Sequence, residues 1–178
     1  MGARRLTAAL VSVLALAGCS ADKTPPPGAA APTGAVDAWN PCDGLRAARV
    51  EKVLGTAVRM KTGTQDAPRC AFVPATRGAA ATTVTYQLFA GGLDAAWTTM
   101  GRIVGHVSEP RIPGADGARL VVHTGRRAVA VTGFVQNGAL IQVVNVVDPR
   151  PYDREVAVAA GTLIMRDLSA HADDAGVA

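Results

Sequence analysis

The chain has 178 residues, room for one domain once targeting segments are set aside. Hydrophobic residues make up 49% and charged residues 18%, a globular composition, while aromatics at 4% leave the core to Val, Leu, Ile and Ala. The net charge of +4 includes Arg4 and Arg5; without them 16 basic residues face 14 acidic ones, too small an excess for the dense basic face of a nucleic-acid binder.

Residues 1–18 read as a secretory signal. Arg4-Arg5 form the positive n-region, and Leu6 to Ala17 a short apolar run with small residues at its end. A spanning helix needs roughly 20 apolar residues, so this run predicts a cleaved signal. Leu6-Thr7-Ala8 after the arginines lacks a strongly apolar pair, which favours general secretion over a twin-arginine route. Leu16-Ala17-Gly18-Cys19 has the form of a bacterial lipobox, with cleavage before Cys19 and a diacylglyceryl group, palmitate included, on its sulfur. More than one buried acyl chain gives stable anchoring. The expected location is therefore the extracytoplasmic face of the cell membrane, held by lipid. The segment 19–37, rich in Pro, Gly, Ala and Thr, has no apolar period and reads as a linker. Pro25-Pro26-Pro27 makes it partly stiff.

A single domain is expected over 38–171. Asn40-Pro41 starts a turn, Leu45 to Leu54 reads as a short helix, and Gly55 stands where a helix C-cap needs positive φ. Cys42 and Cys70 are the two cysteines left beside Cys19, and outside the cytoplasm an even pair reads as a disulfide. A redox or metal role would want a CxxC spacing or a His cluster near them.

Asn40-Pro41-Cys42, Leu45, the helix ending Leu54-Gly55, and Cys70-Ala71-Phe72 resemble a family of small actinobacterial lipoproteins. Their uncharacterised extracytoplasmic domain opens with Asp/Asn-Pro-Cys. The likeness extends to the Gly114–Ala118 turn and the final helix, with Phe72 where Trp is common. It implies compartment and fold, and it brings no activity or catalytic residue with it.

Thr82 to Phe89 alternates as a half-buried strand, with Val84, Tyr86 and Leu88 on one face. Leu93, Trp97, Met100 and Val104 fall at helical spacing, with Asp94 favouring the first turn. Such a stripe is core or lines an apolar pocket. His106 to Gly117 reads as a loop, Arg119 to His123 and Ala128 to Val135 as strands. Asn137-Gly138 signals a type I′ hairpin leading into Ala139 to Val147, which is apolar on both sides. Asp153 caps a last helix whose stripe is Val156, Ala160, Leu163, Ile164 and Leu168, and residues 172–178 are expected to fray. The expected class is α+β: an antiparallel meander of about four to five strands with helices mainly on one face and one disulfide.

No catalytic residue, cofactor or metal set is legible. Ser20, Ser108 and Ser169 lack a nucleophile elbow, and His106, His123 and His171 are scattered, one per element. The Gly114–Gly117 turn lacks the Lys of a phosphate loop. A basic tip of Arg126 and Arg127 with Arg119 competes with an ordinary solvated turn. The leading expectation is a non-catalytic domain binding an envelope protein or small apolar ligand, with Trp97, Met100, Arg119, Arg126 and Arg127 as the candidate surface. An envelope hydrolase built from His106, Asp116 and His123, and a structural or antigenic surface protein without a ligand, are the alternatives.

Overall fold

A computed structural model describes residues 39–177. The expected signal, Cys19 and the linker lie outside the described residues. The domain begins with two tight turns. Asn40 Oδ1 accepts from the Cys42 amide at 3.1 Å, and the Leu45 amide donates to the Cys42 carbonyl at 3.1 Å. These turns delay the first helix, α1 (Ala47–Leu54), by two residues against the expected start. Gly55, at φ 65°, closes it by donating to the Glu51 carbonyl, the left-handed cap that glycine accepts without strain.

A hairpin absent from the sequence reading follows: β1 (Val58–Thr64) and β2 (Ala67–Pro74). Only Val58 of β1 is buried, and the apolar alternation of its sequence is limited to Val58 and Met60, too short to mark a strand. Cys70 and Phe72 of β2 point into the core. The disulfide joins Cys42 to Cys70 with their Cα atoms 4.9 Å apart, tying the start of the domain to this hairpin.

Next come β3 (Ala81–Leu88), α2 (Gly92–Thr99) and a three-residue strand, β4 (His106–Ser108), where a loop was expected. Helix α2 ends before Gly101, whose φ is 70°, so Val104 is exposed and does not extend the helical stripe. Strands β5 (Gly117–Thr124), β6 (Ala128–Asn137) and β7 (Leu140–Pro149) form the expected meander.

The β6–β7 turn differs from expectation by one residue. Asn137 still pairs with Leu140, leaving Gly138 and Ala139 as the two loop residues. Gly138 has φ 56° and Ala139 a negative φ, the glycine-first pattern of a type II′ turn. Asn137 is thereby freed for the core, where its Nδ2 donates to the Gly114 carbonyl at 2.9 Å and to Ser169 Oγ at 3.2 Å.

The last helix, α3 (Arg154–Asp174), is capped by Asp153, whose carboxylate accepts from the Glu155 and Val156 amides at 2.9 and 3.0 Å. Ala160, Ile164 and Leu168 are buried as expected, while Val156 and Leu163 lie half-buried on its flank. Helix α3 continues past 172 to Asp174. Ala172 is buried with Trp39 and Leu140, and the Val177 amide donates back to its carbonyl.

Among the described residues, seven strands form one antiparallel sheet in the order β1-β2-β3-β7-β6-β5-β4. The strand count exceeds the expected four to five because β1, β2 and β4 carry weak signals. Strand β7 runs between β3 and β6, so it is central. Its even residues, Val144 and Val146, join the core under α1 and α3, and Ile141 packs under α2. Two helices cover one face, α1 and α3, and the short α2 covers the other, which explains a strand that is apolar on both sides.

Candidate functional site

The expected surface around α2 is brought together only in part. Gln136 Oε1, from β6, accepts from the Leu93 amide at 2.7 Å and fixes where α2 begins. Trp97 then stands edge-on to Phe134, ring centroids 5.4 Å apart, and the Arg119 guanidinium lies 4.5 Å from the Trp97 ring. Arg119 also meets Asp94 at 2.8 Å and Glu109 at 3.5 Å. Met100 packs partly buried against the same cluster. These groups satisfy one another and hold α2 to the sheet.

Arg119 does not join Arg126 and Arg127. It lies near the start of β5, five strand residues (roughly 17 Å) from Thr124, where the turn bearing the other two begins. The expected basic tip is an arginine pair alone.

The three candidate acid–base residues are likewise dispersed. His106 pairs with Val122, so its side chain points to the face opposite that of His123. Asp116 is seven residues before His123, roughly 24 Å along an extended chain. Its carboxylate accepts from the Gly138 amide at 2.6 Å, serving the β6–β7 turn. Ser108 Oγ donates to the Leu120 carbonyl at 3.5 Å, Ser169 Oγ to the Pro113 carbonyl at 3.0 Å, and His171 stacks on Trp39 at 4.9 Å. Among the described residues no three His, Cys, Asp or Glu side chains are placed to hold a metal ion.

A concave surface lies elsewhere, between α1 and α3. The two helices are antiparallel neighbours: Gly44 is close to His171, Arg49 meets Asp167, and Leu54 shares a recess with Val156. Their exposed sides enclose a groove of about 680 Å³. Val53, Ala159 and Leu163 give it an apolar lining, and Arg49, Lys52 and Arg166 stand along it. Thr162 Oγ1 is turned inward onto its own helix, donating to the Val158 carbonyl at 2.9 Å.

The charge in the groove is not balanced. Arg49 Nη1 binds Asp167 Oδ1 at 2.7 Å, with the Asp167 side chain only 9% exposed. Burial raises the pKa of Asp167 above its ordinary value, outweighing the lowering by Arg49 and Arg46. Among the described residues, neither Lys52 nor Arg166 has a carboxylate within ion-pair distance.

Sequence reasoning missed this site because its halves are more than a hundred residues apart. Arg49 and Lys52 share a helix face at i, i+3, a signal that was available. Leu163 was assigned wholly to the buried stripe, and only the packing of α1 on α3 turns it into a groove wall. Comparison with protein-family models, curated proteins and solved structures found no match.

Proposed function

We propose that this protein is a lipid-anchored lipoprotein of the extracytoplasmic membrane face, and that its folded domain is a non-catalytic binding module. The groove between α1 and α3 is its site. One observation carries the reading: a concave surface of about 680 Å³ that is apolar within and cationic along its edge. That size falls in the range of small-molecule sites, and its mixed lining suits a ligand with both an apolar and a polar part. The lipobox at Cys19 and the resemblance of the Cys42 and Cys70 segments to actinobacterial lipoproteins support the compartment. The Cys42–Cys70 disulfide fits an oxidising location. The hydrolase alternative loses support from the separation of His106, Asp116 and His123.

Native mass spectrometry of the membrane-extracted protein tests this reading. The expected result is a polypeptide starting at Cys19, with a diacylglyceryl mass, that releases a small molecule on mild unfolding. Ala159→Trp, which fills the groove from an exposed position, is expected to abolish that release while leaving the far-ultraviolet circular dichroism spectrum unchanged. A protein that carries nothing, or whose ligand is retained in Ala159→Trp, overturns the assignment.

A further inference from the structure

We propose that the groove takes one anionic lipid drawn from the bilayer to which the chain is tethered. The inference rests on the groove being the binding site and adds the chemical class of its occupant. The polar part must be an anion, because Lys52 and Arg166 present two ammonium or guanidinium groups without a carboxylate partner among the described residues. Arg49 is already engaged by Asp167 and contributes less free charge. The remainder must be apolar, because Val53, Ala159 and Leu163 offer no hydrogen bond and Thr162 spends its hydroxyl within α3. A free phosphate would satisfy the cations and leave the apolar lining wet; a neutral apolar molecule would do the reverse. A phosphate headgroup with an attached acyl chain matches both halves.

The source follows from the chain itself. Trp39, the first described residue, is 20 positions beyond Cys19, and an extended chain spans at most about 3.6 Å per residue, so the bilayer lies within roughly 70 Å of the domain. Anionic lipids are thus held at high local concentration beside a basic groove.

The test uses the membrane-extracted lipidated protein in phosphatidylcholine nanodiscs that carry a photoactivatable phosphatidylglycerol. Cross-links are expected on α1 and α3 peptides, and photoactivatable phosphatidylcholine should label them far less. The double variant Lys52→Glu/Arg166→Glu changes exposed residues and should cut labelling by about fivefold or more per cation. The same charge change at Arg126→Glu/Arg127→Glu should leave groove labelling intact. Loss of labelling when free glycerol phosphate is added before irradiation would replace the lipid with a simple anion site and overturn the proposal. Labelling indifferent to Lys52 and Arg166 overturns it too. If the groove is unlabelled while native mass spectrometry still shows a released molecule, the lipid fails and the binding reading stands; with neither, both fall.

Discussion

Arg119 and Trp97 form a cation–π pair, the guanidinium carbon 4.5 Å from the ring centroid, and the pair joins α2 to β5. The arginine is largely buried, with its side chain 17% exposed, whereas its partner Asp94 is 92% exposed. The stacking rather than the solvent-screened ion pair therefore contributes most. Arg119→Ala is expected to destabilise the domain by about 1–2 kcal/mol. The accompanying signature is faster amide exchange confined to α2, read by hydrogen–deuterium exchange. Unchanged protection there would mean that α2 is held by Leu93 and Ala96 alone.

Trp39 reaches the centre of the sheet. Its Nε1–H donates to Gln142 Oε1 at 3.2 Å, and Gln142 Nε2 donates to the Leu168 carbonyl at 3.3 Å. Trp39→Phe keeps an aromatic ring but leaves a buried carbonyl oxygen without a donor, a loss of about 1–3 kcal/mol. Adding Gln142→Met should recover part of that loss, because both polar partners are then gone. Urea midpoints of the two variants provide the comparison; a double variant no better than Trp39→Phe would contradict the assignment.

Gly133 lies where α3 crosses β6. A methyl group on it would collide with Met165 Sδ, on a flexible side chain that is fully buried and would have to repack within the core. Gly133→Ala should cost about 1–3 kcal/mol through overpacking. Combined with Met165→Ala it should cost less than the two single changes summed. Additive losses in thermal or urea unfolding would show that the clash is relieved some other way.

Asp167 makes stability depend on acidity. Its folded-state pKa is raised by burial above the ordinary 3.8, so between the two values the folded chain binds more protons than the unfolded one. The contribution of this group is therefore greatest below the unfolded pKa, declines as pH rises through the folded pKa, and is constant above it. Asp167→Asn retains an oxygen for Arg49 and removes the titration. It should be at least as stable as the parent at neutral pH, with the difference between the two shrinking on acidification. A variant markedly less stable at neutral pH would show that the Arg49 ion pair outweighs burial.

Elements with a regular apolar period were legible. Strands β3, β5, β6 and β7, and helix α3 with its Asp153 cap, lie within a few residues of where alternation and helical spacing place them. Strand β1 was hidden because an edge strand exposed on both sides needs no sustained alternation, and only Val58 and Met60 of it are apolar. The Asn137-Gly138 turn was found but misregistered, since Asn137 serves the core and Asp116 holds the Gly138 amide instead. Trp97, Met100 and Arg119 lie together, yet their contacts are spent on one another. The groove was not legible at all, because no local pattern states that Lys52 and Arg166 share a surface.

The disulfide and the indole of Trp39 also determine how the domain bears mechanical load. A pull on the backbone before Trp39 reaches Gln142 in the central strand and, three residues on, a covalent bond to β2. Force is thus divided between the central strand β7 and β2 before it reaches the rest of the domain. Helix α1 begins beyond both attachments, so tension applied ahead of Trp39 would leave the α1–α3 groove relaxed.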